Sequence, residues 1–179
     1  MLPHLPRRAA AAVLLAASLS ASAQTSEQRI GPSGLPLPRY ASLKADRVSL
    51  HNGPGSQYPA AWVFRRTGLP VEVIDEAEGG WFHVRDADGT TGWVPRALLS
   101  NRRTALVVAG ETKAGAPPMQ IPLRRNDRDD APTIAMIETG VVANIKSCNG
   151  VLCLVAIEDM RGYLEQKNLW GVRAGEVIK

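Results

Sequence analysis

The stretch GGWFHVRDADGTTGWV, residues 79–94, has a counterpart 70 residues later in NGVLCLVAIEDMRGYL, residues 149–164. Aligned without a gap, Gly80 falls on Gly150, Val84 on Leu154, Gly92 on Gly162, Trp93 on Tyr163 and Val94 on Leu164. Upstream, TGLPVEVI matches ETGVVANI, with Gly68 on Gly140 and Ile74 near Ile145. Further up, Tyr58-Pro59 falls on Ala131-Pro132, with the small drift in offset that loop insertions allow. A repeat on this scale makes the chain two copies of one small unit.

Each copy reads as five short strands separated by Gly and Pro. The first copy has them at about 46–51, 60–65, 70–75, 81–86 and 91–95; the second at about 119–124, 133–138, 141–146, 151–157 and 161–165. Asp88-Gly89 marks a tight turn, and PRALL, residues 95–99, a short helical turn. With 45% hydrophobic and 21% charged residues the composition is that of a globular chain. The predicted fold is all-β, with each copy closed into a small barrel that hides its sheet edges.

The first 23 residues read as a cleaved secretory signal peptide. Arg7 and Arg8 form a basic start, residues 9–21 an apolar core too short to span a bilayer, and Ala21-Ser22-Ala23 a small-residue cleavage site. Cleavage between Ala23 and Gln24 leaves no Cys at the new terminus, which argues against a lipid anchor. No later stretch is long and apolar enough to be a membrane span. The expected location is periplasmic or secreted. Removing two arginines lowers the formal charge from +4 to +2, too mild to point to nucleic acid.

One loop carries more information than the rest. RVSLHNGPGSQYPAAWVF, residues 47–64, places five turn formers between two apolar runs where a bare hairpin needs two. Together with the closing TGWVPRALL, this pattern of strand, Gly-Pro-Gly, Tyr-Pro and Gly-Trp-Val resembles the bacterial SH3-like domains. The resemblance is strong over residues 43–100. It is weaker over about 102–171, where LRRNDRDDAP lacks the Gly-Pro-Gly. It implies two tandem SH3-like β-barrels and a binding role, often toward cell-wall peptide or peptidoglycan. The expected organisation is a signal peptide (1–23), a Pro/Gly-rich N-terminal segment (24–42), domain 1 (43–100), a divergent domain 2 (102–171) and a C-terminal tail (172–179). The loop then corresponds to the long first loop of such a barrel, with Gly53 and Gly55 permitting unusual backbone angles and Pro54 fixing the residue between them.

The two cysteines lie in KSCNGVLCLV. In an oxidising compartment they are expected to pair, Cys148 with Cys153. A four-residue loop over 149–152 sets them face to face across a hairpin; a two-residue turn at Asn149-Gly150 sets them diagonally, with more strain. Two Cys alone do not make a zinc site.

The candidate ligand-binding residues are Asn52, Tyr58, Trp62 and Trp81, because aromatic side chains with a polar edge suit peptide or glycan recognition. At the matching places the second copy has Ala131 and Val151, so binding is assigned to the first. Tyr58 either caps the barrel or faces the ligand. Trp62 and Trp93 are also the residues from which a small barrel would build its core, Trp93 above all, whereas Trp81 beside Gly79-Gly80 reads as surface. His83, alternating with Phe82 and Val84, is expected to face solvent.

Catalysis is not expected. Only His51 and His83 remain after export, both Cys are paired, and no metalloprotease, serine-hydrolase or phosphate-loop motif occurs. Asp127–Asp130 lacks the glycine and distal Glu of a calcium loop. No metal or cofactor is expected. The expected partner is a cell-envelope peptide or peptidoglycan. The alternatives are a periplasmic protein held by an adaptor or, less favoured, the substrate of a cell-wall hydrolase.

Overall fold

The computed structural model describes residues 29–110 and 118–179. The signal peptide and its cleavage site, Ala23 and Gln24, lie outside the described residues. The first half holds β1 (Arg29–Ile30), β2 (Pro36–Leu37), β3 (Arg39–Leu43), β4 (Val48–His51), β5 (Ala60–Phe64), β6 (Pro70–Ala77), β7 (Trp81–Arg85), β8 (Thr91–Pro95) and β9 (Leu99–Ser100). The second holds β10 (Thr104–Val107), β11 (Gln120–Arg124), β12 (Thr133–Glu138), β13 (Val142–Asn149), β14 (Leu152–Ile157), β15 (Met160–Glu165), β16 (Leu169–Trp170) and β17 (Val177–Ile178). Single 3-10 turns, Arg96–Leu98 and Gln166–Asn168, precede β9 and β16. Among the described residues no helix is long and apolar enough to cross a membrane.

The two halves repeat one topology. The strand order is β5-β4-β8-β7-β6-β3-β9 in the first and β12-β11-β15-β14-β13-β10-β16 in the second. Each folds over its own core. One is built on Leu37, Val48, Leu50, Val71, Val84 and Val94, the other on Val107, Leu123, Val155, Leu164 and the two cysteines. These are the inward members of alternating strands: Trp81–Arg85 and Leu152–Ile157 both bury every second residue. The chain is thus two tandem SH3-like domains.

Gly92 and Gly162 fix the bend of each sheet. At these points β8 crosses β4 and β15 crosses β11. A Cβ on Gly92 would lie 2.5 Å from Leu50 Cγ and 2.9 Å from the His51 carbonyl oxygen. On Gly162 it would lie 2.7 Å from both Leu123 Cγ and the Arg124 carbonyl oxygen. The repeated glycine is therefore a steric requirement of the crossing.

Three sequence expectations change. Each sheet has strands beyond the expected five: β3, which falls mostly in the segment 24–42, and β10 each pair with the long central strand, β6 or β13. The tail is also ordered, with β17 on β13 and Val172 in the core. The gapless alignment slips by one in the fourth strand. Val84 pairs with Gly92 whereas Val155, not Leu154, pairs with Gly162. The hairpin between Arg85 and Thr91 is one residue longer than that between Ala156 and Arg161. Trp81 thus corresponds to Leu152, and Val151, the expected match, is a 69% exposed turn residue.

Both long central strands bulge at the same place, between Val73 and Asp75 and between Ile145 and Ser147. Beyond the bulge, Glu76 faces Phe82 in the first domain and Cys148 faces Cys153 in the second. The cysteines form a disulfide with Cα atoms 4.1 Å apart, the face-to-face arrangement of the two considered.

Only residues 101–103 separate β9 from β10, and two buried hydroxyls join the domains there. Ser42 Oγ lies 2.6 Å from Thr104 Oγ1 and donates to the Arg102 carbonyl at 2.6 Å, while Thr104 Oγ1 donates to the Gly68 carbonyl at 2.8 Å. Tyr40 meets Trp170 edge-on at 5.4 Å, and Arg66 donates to the Gly140 carbonyl at 2.7 Å.

Gly92→Ala forces a methyl into the crossing and is expected to cost about 1–3 kcal/mol; Val151→Ala is expected to change stability by less than about 0.5 kcal/mol. Urea unfolding of both variants checks the pair. Thr104→Val keeps the shape but strips the donor from the buried Gly68 carbonyl, with an expected loss of about 1–3 kcal/mol by the same measurement.

Candidate functional site

The outward residues of β4, β7 and β8 form an aromatic and imidazole face. Phe82, Val84 and Val94 point into the core, so Trp81, His83 and Trp93 point out. β8 lies between β4 and β7, with Trp93 opposite both His51 and His83. His83 stacks on Trp93 with ring centroids 4.8 Å apart, and His51 meets Trp81 edge-on at 5.2 Å. Trp93 is thus not a core residue: the alternation that buries Val94 turns its neighbour outward. His83 is half-buried under that ring rather than free in solvent. Burial lowers its pKa, and the Asp75 carboxylate opposes the shift only in part.

Trp81 also borders a cleft of about 660 Å³. The Gly79-Gly80 turn and the 3-10 turn at Arg96 form its sides, and Arg39, Lys44 and Arg96 supply charge. Arg39 is tied down. Its Nη1 lies 2.7 Å from Glu76 Oε1, and its guanidinium carbon sits 5.0 Å from the Phe82 ring centroid. Burial by itself would raise the Glu76 pKa. The Ser33 N–H and hydroxyl, each 2.7 Å from the carboxylate, outweigh burial together with Arg39, and the pKa is lowered. Arg96 also lies over the Phe82 ring, 6.0 Å from its centroid.

The long loop is shaped around Tyr58. A Cβ on Gly53 would lie 2.5 Å from the Tyr58 ring, so the tyrosine lies flat on a bare backbone. The Asn52 N–H donates to the Pro59 carbonyl at 3.1 Å, and the Tyr58 N–H to the Gly55 carbonyl at 3.2 Å. His51 links loop and cleft. Its ring touches Trp81, and its Nδ1 lies 2.7 Å from the Tyr58 carbonyl oxygen. Asn52 and Tyr58, 41% exposed, are therefore on the Trp81 side of the domain by way of His51. Trp62 is not. It is 56% exposed and rims a separate crease of about 160 Å³ with Phe64, Pro70 and Leu106.

Sequence reasoning missed Arg39, Lys44 and Arg96. Arg39 falls in the segment read as a Pro/Gly-rich N-terminal stretch, and the other two look like ordinary surface charges. In the second domain the corresponding face carries Leu152, Leu154, Tyr163 and Arg124, the last 3.6 Å from Glu165. Its DRDD loop keeps the backbone pattern without the glycines: the Arg125 N–H donates to the Pro132 carbonyl and the Ala131 N–H to Arg128. Arg128 pairs with Asp130 in solvent, as a solvated turn would.

Solved structures with some similarity include two proteins of Trichomonas vaginalis. NlpC2 is 12% identical, with a TM-score of 0.32 over 74% of this chain and 47% of that one. NlpC1 is 14% identical, with a TM-score of 0.34 over 87% and 50%. The chain thus spans about half the length of either. A search of the curated proteins finds no match. The family model described as bacterial SH3 domain matches residues 44–101 and again 118–171, one match on each sheet. With both halves matched and both sharing one strand order, the chain belongs to the bacterial SH3 domain family.

Proposed function

We propose that this is an exported, non-catalytic protein that recognises cell-wall peptide or peptidoglycan through its first domain. Bacterial SH3 domains often bind cell-wall material. The observation that carries the assignment to domain 1 is Trp81, standing outside the core at the mouth of the cleft with His51 against its edge. An aromatic ring there offers a flat apolar surface to a sugar or peptide, and the adjoining loop adds Tyr58 and Asn52. The second domain keeps Tyr163 where the first has Trp93, but has Leu152 and an ion-paired Arg124 in place of Trp81 and His51.

The non-catalytic reading rests on what is already engaged. Both sulfurs are in the disulfide, His83 is stacked on Trp93, and His51 is held by the Tyr58 carbonyl. The signal-peptide-like pattern of the first 23 residues supports a periplasmic or secreted location. A periplasmic adaptor is the second reading, and the exposed Trp62 beside Leu106 is the observation that favours it.

The two readings separate on purified sacculi. Trp81→Ala is expected to lower retention of the protein at least about tenfold, the effect of losing an interface anchor of about 2 kcal/mol. Its melting temperature should stay near wild type, since Trp81 lies outside the buried cluster. Trp62→Ala should leave retention unchanged. Wild-type retention that survives Trp81→Ala removes Trp81 from the site, and absence of retention by the wild type leaves the adaptor.

A further inference from the structure

We propose that the Trp81 cleft continues onto the second domain and takes the carboxylates of an acidic wall peptide. The proposal rests on the wall-binding reading and adds the chemistry of the ligand. The 660 Å³ cleft shares Leu35, Arg39 and Asn101 with a second hollow of about 300 Å³, which Arg103 and Arg173 border from the other domain. The two form one trough, and each part falls within the size range of ligand sites.

The charge of this trough is one-sided. Arg39, Lys44 and Arg96 line the larger part, and no carboxylate does. Glu76 lies behind Arg39 with its side chain 1% exposed, already neutralising that arginine. Glu176 borders the smaller part. It is held by Arg103 at 2.7 Å and by the Arg173 N–H at 2.9 Å, and these partners outweigh burial to lower its pKa. Among the described residues of the trough, three cations remain without an ion-paired carboxylate: the Arg173 guanidinium donates to the Pro38 carbonyl, and Lys44 and Arg96 line the larger part. Lys44 Nζ donates only to the Ala97 carbonyl at 3.2 Å, and Arg96 rests on the Phe82 ring.

Trp81 lines the larger part together with Lys44 and Arg96. A ligand with an apolar stem and a free carboxylate matches that pairing: the stem lies on the ring while Arg96 offers two parallel N–H donors. Since the exported chain carries a formal charge of only about +2, this is a local feature of the cleft and not general basicity.

The test uses the full exported chain on polymer-free sacculi, either native or with their carboxyls capped as ethanolamides. Wild type is expected to be retained about tenfold less on capped sacculi, the effect of one charge-assisted hydrogen bond. Lys44→Gln/Arg96→Gln should lose about as much on native sacculi and no longer distinguish the two. Arg125→Gln/Arg161→Gln removes the same charge from exposed sites on the other domain and should behave as wild type. Equal retention of wild type on native and capped sacculi overturns the carboxylate proposal and leaves wall binding intact. An equal loss in the Arg125/Arg161 variant, or continued discrimination by the Lys44/Arg96 variant, also overturns it. No retention of wild type on native sacculi ends the wall-binding reading and with it the carboxylate proposal. Melting curves accompany each variant, and if the cleft variant unfolds, the wild-type comparison decides alone.

Discussion

The close approach of β8 to β4 at Gly92 governs the shape of the first domain. Leu50 fills the space a side chain would take, and both Leu50 and Val94 are buried beneath the crossing. Only a residue without Cβ lets the strands meet there. The meeting brings His51 opposite Trp93. A steric event on the inner face of the sheet therefore sets which rings adjoin on the outer face. The second domain obeys the same rule at Gly162 over Leu123, but Arg124 then stands opposite Tyr163. One backbone device thus supports two different surfaces.

The same frame explains how the domains diverge behind that face. Past the shared bulge, the first domain places a carboxylate at Glu76 and the second a cysteine at Cys148. Each is covered by a terminal extension. Segment 29–38 brings Ser33 to Glu76 and buries Leu37, while the C-terminal segment lays Ile178 beside Cys148. A buried carboxylate is tolerated only with several donors, and Ser33 and Arg39 supply them. The second domain meets the same position with a covalent bond instead. That difference matters to the cleft, because the clasp on Glu76 is what holds Arg39 in its wall.

Strands with strict alternation and glycine-bounded turns could be read from the sequence, because each carries its signal within a few residues. So could the cysteine pairing and the special character of the 52–59 loop. β3 and β10 could not. RYASL and TALV bear no likeness to each other, and they become strands only because β6 and β13 offer them a partner. The one-residue slip between the copies was hidden because a gapless match anchored on Gly92 and Gly162 absorbs it, yet it turns a tryptophan's counterpart from valine to leucine. Trp93 was misread for its size: bulk suggested the core, whereas its place between Gly92 and Val94 put it outside. The cleft cations carry no local signal, since Arg39, Lys44 and Arg96 converge only after β3 joins the sheet and the 3-10 turn folds across it.

The second domain lacks an aromatic counterpart of Trp81 but borders the cleft through Arg103 and Arg173. Three residues join β9 to β10, and the hydroxyls of Ser42 and Thr104 are almost fully buried where the domains meet. Buried hydroxyls demand their partners, so they permit few relative orientations of the two sheets. Arg173 donates to the Pro38 carbonyl across the same boundary, and Arg103 lies over the Tyr40 ring at 5.9 Å. These contacts hold two arginines of the second domain at the end of a cleft built by the first. Either domain alone would present half of that trough. The two copies thus complement each other in structure: one carries Trp81, Trp93 and the two histidines on its outer face, and the other sets Arg103 and Arg173 at the end of the cleft.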